Sequence, residues 1–107
     1  MRRPVASISD IARQDLDKHI LWLWREAGPD IATRFANAAI ASFARLAEMP
    51  GQGSPIESRD AGISEIRKWR IAGFPQVLFF YRAVPAGIDI LRVIHGSQDW
   101  WSLLNVE

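Results

Sequence analysis

The chain has no cysteine, which excludes disulfides, thiolate zinc sites, iron–sulfur clusters and thiol nucleophiles. That absence is compatible with a reducing cytosol. There are only two histidines, His19 and His95, and neither HxxxH nor HExxH spacing occurs, so no metal and no cofactor are expected. Phosphate-loop and dinucleotide motifs are missing. Gly51-Gln52-Gly53 lacks the lysine and the following helix that such a loop needs, and there is no GxSxG elbow. Apolar runs are only a few residues long, far short of the ~20 of a membrane span. Met1-Arg2-Arg3-Pro4 leads into polar positions rather than a signal core. A soluble, cytoplasmic protein is expected. A dominant charge is absent too: thirteen basic and twelve acidic residues leave a net charge of +1, unlike domains that coat nucleic acid.

What is present fits a single domain over residues 1–107, long enough to bury roughly two-thirds of its extended-chain surface. Apolar residues make up 49% before the seven glycines are added, so with glycine included they exceed the ~45–50% of ordinary compositions. Five of the residues are tryptophan. For a small monomer this is more apolar material than a core requires. The basic set is eleven arginines and two lysines, which favours planar, two-pronged pairing with carboxylate or phosphate.

Residues 4–8 read as a short strand, and Ser9 or Asp10 can cap the helix that follows. Ala12, Leu16, Ile20, Leu23 and Ala27 form one stripe on a helix over residues 10–26. Gly28-Pro29-Asp30 ends it and starts a second helix over 30–48, striped by Ala32, Phe35, Ala39, Phe43 and Leu46. The short connection predicts a hairpin. Past the Met49–Pro55 loop the period becomes two, with strands over 65–71, 77–83 and 88–95 and a short last helix around Gln98–Leu104 capped by Ser97. The order β-α-α-β-β-β(-α) predicts an α+β fold, a helical hairpin on one face of a mainly antiparallel sheet.

In the middle strand Val77, Phe79 and Tyr81 alternate with Leu78 and Phe80; in the last, Ile88, Ile90 and Ile94 are set against Leu91 and Val93. Both sheet faces are therefore apolar, and one hairpin covers only one of them. The other is expected to need the C-terminal segment with Trp100 and Trp101, or another protein.

The chemistry-bearing cluster is Arg67, Lys68, Arg70, Arg82, Arg92 and His95. Residues 64–95 hold five basic groups against two acidic ones. A functional reading makes this a basic surface that grips RNA phosphates, with His95 as acid or base. A structural reading pairs the arginines with acids such as Glu65 and Asp99, or lays them along apolar neighbours. Period alone favours the second. Arg92 and His95 point to opposite faces of a regular strand, so a shared site needs a bulge or the strand's end. His19, beside the first helix's stripe, reads as a partly buried helix residue.

Several motifs in order carry a resemblance. They are Ala12-x-x-Asp15-Leu16-x-x-x-Ile20, Ala32-x-x-Phe35 and Leu46-x-x-x-Pro50-x-x-Gly53, then Ile66-Arg67-x-Trp69-Arg70-Ile71-x-Gly73-Phe74, Leu78-Phe79-Phe80-Tyr81-Arg82 and Ile90-Leu91-Arg92-Val93-Ile94-His95-Gly96-x-x-Asp99. Together they resemble the RelE/ParE superfamily of bacterial type II toxins, in particular its ParE or plasmid-stabilisation branch, over residues 4–104.

The resemblance implies one of two activities. RelE-like members are ribosome-dependent messenger RNA endonucleases; ParE-like members inhibit DNA gyrase by protein–protein binding and lack the nuclease residues. A basic position of the nuclease pattern is filled here by Leu78, and the block His-Gly-x-Arg-Asp reads His95-Gly96-Ser97-Gln98-Asp99. These departures favour ParE, with no catalytic residue; the nuclease alternative would use Arg82, Arg92 and His95. The resemblance also implies a cognate antitoxin, ParD-like and of ribbon–helix–helix type, in a hetero-oligomeric complex that meets DNA only through the antitoxin. Its expected contacts are Trp22, Trp24, Arg67, Trp69, Arg70, Phe74, Phe80, Arg82, Arg92, Trp100 and Trp101.

Overall fold

In the computed structural model, which describes residues 3–56 and 65–96, the two apolar stripes become a pair of contacting helices. Helix α1 spans Asp10–Ala27 and α2 spans Pro29–Glu48. Ser9, not Asp10, is the cap: its Oγ accepts the Ala12 N–H at 3.0 Å, satisfying a donor that a helix start leaves open. Gly28 separates the helices with φ of +92°, a conformation that hinders side-chain-bearing residues. Pro29 then takes the first helical position, where a missing N–H costs nothing.

Among the described residues the sheet has five strands in the order β1-β5-β4-β3-β2. They are β1 Val5–Ile8, β2 Ser54–Pro55, β3 Ile66–Ile71, β4 Phe74–Val84 and β5 Gly87–His95. Strands β3, β4 and β5 form the expected antiparallel meander. Strand β1 lies parallel to β5, and the two-residue β2 pairs antiparallel with β3. The helices meet one sheet face in a main core that includes Leu16, Phe35, Phe43, Phe79, Tyr81 and Ile90. Edge-to-face contact of Phe43 with Phe79, centroids 4.8 Å apart, adds about 0.5–1.5 kcal/mol beyond area burial.

One expectation about the sheet is corrected. The facing of β5 changes partway along, because Phe80 pairs with Arg92 while Tyr81 pairs with Ile90, leaving Leu91 as the extra residue of a bulge. A bulge shifts the alternation by one residue. Val93 therefore joins Ile88 and Ile90 in the main core, and Ile94 joins Leu91 on the far face. The far face is buried as well. Ile56, Ile66, Leu78, Phe80 and Ile94 form a second buried cluster, with Phe80 at 0% exposure. The last helix expected around Gln98–Leu104, its cap Ser97, and Trp100 and Trp101 lie outside the described residues.

Candidate functional site

The end of β5 carries a dense polar arrangement. Strand β1 stops at Ile8, opposite Ile90, so among the described residues the outer edge of β5 beyond that point has no strand beside it. The start of α1 takes over. Ser9 N–H donates to Ile90 O at 3.0 Å, Ser9 Oγ donates to Leu91 O at 3.0 Å, and Val93 N–H donates to Asp15 Oδ2 at 3.0 Å. The same carboxylate grips Arg92 with two prongs, Nε to Oδ2 at 2.8 Å and Nη2 to Oδ1 at 3.1 Å. This hydrogen bonding raises the Arg92 pKa above its ordinary value, outweighing burial, which lowers it. Charge-assisted, two-pronged pairs of this kind are among the strongest polar contacts available.

The three residues of the nuclease alternative are not brought together. Arg82 stands opposite Ile66, and His95 opposite Val77. Ile66 belongs to the second cluster and Val77 to the main core, so Arg82 and His95 leave the sheet on opposite faces. Arg82 lies 4.0 Å from Asp89 in an exposed ion pair, the kind worth about 0–1 kcal/mol. His95 Nε2 lies 3.2 Å from Gln76 Oε1. Arg92 turns to Asp15 at the sheet edge.

The residues expected to meet an antitoxin are scattered as well. Trp22 and Trp24 are 54% and 55% exposed on α1. Trp69 and Phe74 are half-buried against the main core, Phe74 edge-on to Phe35 at 5.1 Å. Arg67 donates to Gly53 O at 2.7 Å, tying β3 to the loop after α2, and Arg70 Nη1 donates to Pro75 O. Phe80 has no surface left to offer. On the helices Ile11, Leu21, Trp22, Trp24 and Ile40 are each about half exposed.

His19 is the partly buried helix residue that its place beside the stripe predicts, but its neighbour across the fold was not foreseen. The fold sets it beside His95 along a groove between α1 and the end of the β4–β5 pair, with Asp15, Lys18 and Trp22 on the same wall. Asp15-x-x-x-His19-x-x-Trp22 is a helical spacing that puts these three on one side of α1, and it was the available signal. Burial lowers the His19 pKa from 6.5, and the nearby His95 lowers it further. Among the described residues no three His, Asp or Glu side chains are grouped to hold a metal, and no helix is long and apolar enough to cross a membrane.

Comparison with known proteins bears directly on this arrangement. A family model described as the ParE toxin of type II toxin-antitoxin system, parDE, matches residues 6–100. Toxin ParE1 of Caulobacter vibrioides is 32% identical over 94 residues, which cover 86% of this chain and 88% of that protein. A solved structure described as the chromosomal ParDE TA system from P. aeruginosa superposes with a TM-score of 0.69, covering 87% of this chain and 96% of that one. At 18% identity that likeness speaks for the fold alone. The family match spans most of the described chain and a similar toxin aligns across nearly its full length, so this chain belongs to the ParE toxin family of type II toxin–antitoxin systems.

Proposed function

We propose that this chain acts by protein–protein inhibition, with DNA gyrase as its target, and that a cognate ParD-like ribbon–helix–helix antitoxin holds it inactive in the cytoplasm. The observation that carries the non-enzymatic reading is the division of the nuclease candidates. Arg82 and His95 stand on opposite sheet faces, and Arg92 is committed to Asp15. A phosphoryl-transfer site needs its cation and its acid or base converging on one reacting group. Leu78, where the nuclease pattern has a base, is 8% exposed inside the second cluster.

Support for a protein partner comes from the half-exposed apolar side chains on α1 and α2. Aromatic side chains such as Trp22 and Trp24 are enriched at protein interfaces. The P. aeruginosa structure is itself described as a ParDE toxin–antitoxin system.

The test is expression of the toxin without antitoxin, followed by gyrase supercoiling assays and by mapping of messenger RNA ends on ribosomes. Inhibited supercoiling with intact messages is expected. The variant R82A/H95A should remain as toxic as the parent, because neither residue does chemistry. Cut messages with supercoiling untouched would overturn the proposal and restore the endonuclease alternative.

A further inference from the structure

A strand edge recruits further strands unless something covers it, and among the described residues β5 has such an edge past the end of β1. Its sequence there, Ile90-Leu91-Arg92-Val93-Ile94, is apolar at every position but one and rich in β-branched residues. Segments of that composition pair readily with other chains. Two backbone groups on this edge are met by side chains rather than by a neighbouring strand. Leu91 O accepts from Ser9 Oγ, and Val93 N–H donates to Asp15 Oδ2, each at 3.0 Å.

Those two groups stand one residue either side of Arg92. In an antiparallel pair, the N–H that follows a non-hydrogen-bonded residue donates to the C=O that precedes its opposite number. Two copies of β5 set antiparallel about Arg92 would therefore join Val93 N–H of each to Leu91 O of the other. The edge is self-complementary about a two-fold axis, and the start of α1 competes for the same donor and acceptor. Arg92 would face its own counterpart at about 4.5 Å between Cα atoms, where like charges repel. Asp15 holds that guanidinium in place and takes the Val93 N–H with one carboxylate. The bulge at Leu91 adds local twist, a further hindrance to edge pairing.

We propose that the start of α1 is a guard on β5: Ser9 and Asp15 occupy a latent strand-pairing surface that would otherwise join this chain to a second copy of itself about Arg92. The guard concerns the toxin alone and is independent of the gyrase and antitoxin readings. Withdrawing Asp15 uncovers a donor and frees the edge, whereas withdrawing Arg92 alone leaves the Val93 N–H still covered.

The chain has no cysteine of its own, so R92C places a single thiol on the two-fold axis, within disulfide reach of its counterpart. Full-length variants are incubated at high concentration with oxidised glutathione and resolved on non-reducing gels. Circular dichroism and thermal melts check that each is folded. D15A/R92C should form the linked dimer about tenfold faster than R92C, the shift that losing one charge-assisted hydrogen bond produces. S9G/R92C uncovers Leu91 O with little harm to the helix start and should also outpace R92C, by a smaller factor. D15N/R92C should stay near R92C, because the amide oxygen still accepts the Val93 N–H. L23A/R92C, a core change on the same helix, lowers stability without touching the edge and should cross-link no faster than R92C. Equal rates for D15A/R92C and R92C would overturn the guard. So would L23A/R92C cross-linking as fast as D15A/R92C, because general loosening would then explain the dimer.

Discussion

At one margin of the sheet, β5 is closed by a carboxylate; at the other, the strands are tied to the loop after α2 by a phenol and a guanidinium. On the β5 side Asp15 serves three donors, two on Arg92 and one on Val93. β1 also runs so close that a Cβ on Gly87 would lie 2.1 Å from Val5 O. On the β3 side the Tyr81 hydroxyl donates to Pro50 O at 2.6 Å and accepts the Gly53 N–H at 2.9 Å, while Arg67 donates to Gly53 O. The first margin depends on an ion pair and on backbone contact that cannot yield. The second depends mostly on neutral bonds. Losing a partner is therefore more damaging at the first, because a charge is left without its counterpart.

Substitutions that remove one closure at a time put this contrast to the test. The largest effect is expected from G87A. Its φ is +145° and the new methyl would meet the β1 backbone, so a loss of about 3 kcal/mol or more, or failure to accumulate soluble protein, should follow. Urea denaturation measures it, and near-parent stability would show that β1 is not held as tightly as the geometry says.

Next is D15A, expected to cost about 2–3 kcal/mol because the Asp15–Arg92 pair is mostly shielded, at 15% and 21% side-chain exposure. The double variant D15A/R92A should lose less than the sum of the two single changes, since no lone charge remains. Additive losses would mean that the two side chains act independently.

Y81F should cost less, about 1–2 kcal/mol, through two neutral hydrogen bonds. Burial raises the Tyr81 pKa above 10.0. Its contribution is thus complete below the unfolded value and is lost as pH climbs through the folded one. Melting temperatures above pH 10 should consequently fall more for the parent than for Y81F.

The smallest effect concerns His19 in the isolated toxin. Its pKa is lowered from 6.5, so the stabilisation is complete above pH 6.5 and is lost as pH falls towards the folded value. H19Q should flatten the decline in melting temperature between pH 7.5 and pH 5.5. An identical decline in both proteins would place the acid sensitivity elsewhere.

The helices were legible because their stripes repeat every three or four residues, and because Ser9 and Gly28-Pro29 mark boundaries by local chemistry. The meander was legible from the alternation in Val77–Tyr81 and the Gly-bearing turns that flank β4. The two-residue β2 was not, since Ser54-Pro55 carries no strand signal and exists only by pairing with Arg67 and Lys68. Leu91 hid its bulge in the same way: an apolar residue fits either face, and only the register with Phe80 and Tyr81 shows which one it takes. The candidate site was less legible still. Arg92 was recognisable as a cation, but its partner Asp15 lies on another element, as does the partner of His19.

Periodicity, caps and turn residues therefore determined the order and kind of the main elements by themselves, because each acts over a few neighbouring residues. The motif order was enough to suggest the toxin family. Tertiary structure decided which groups meet. It set a bulge at Leu91, parted Arg82 from His95, gave Arg92 to Asp15 and drew His19 beside His95. Each of those outcomes depends on register and on packing between distant segments, where a shift of one residue exchanges one face for the other.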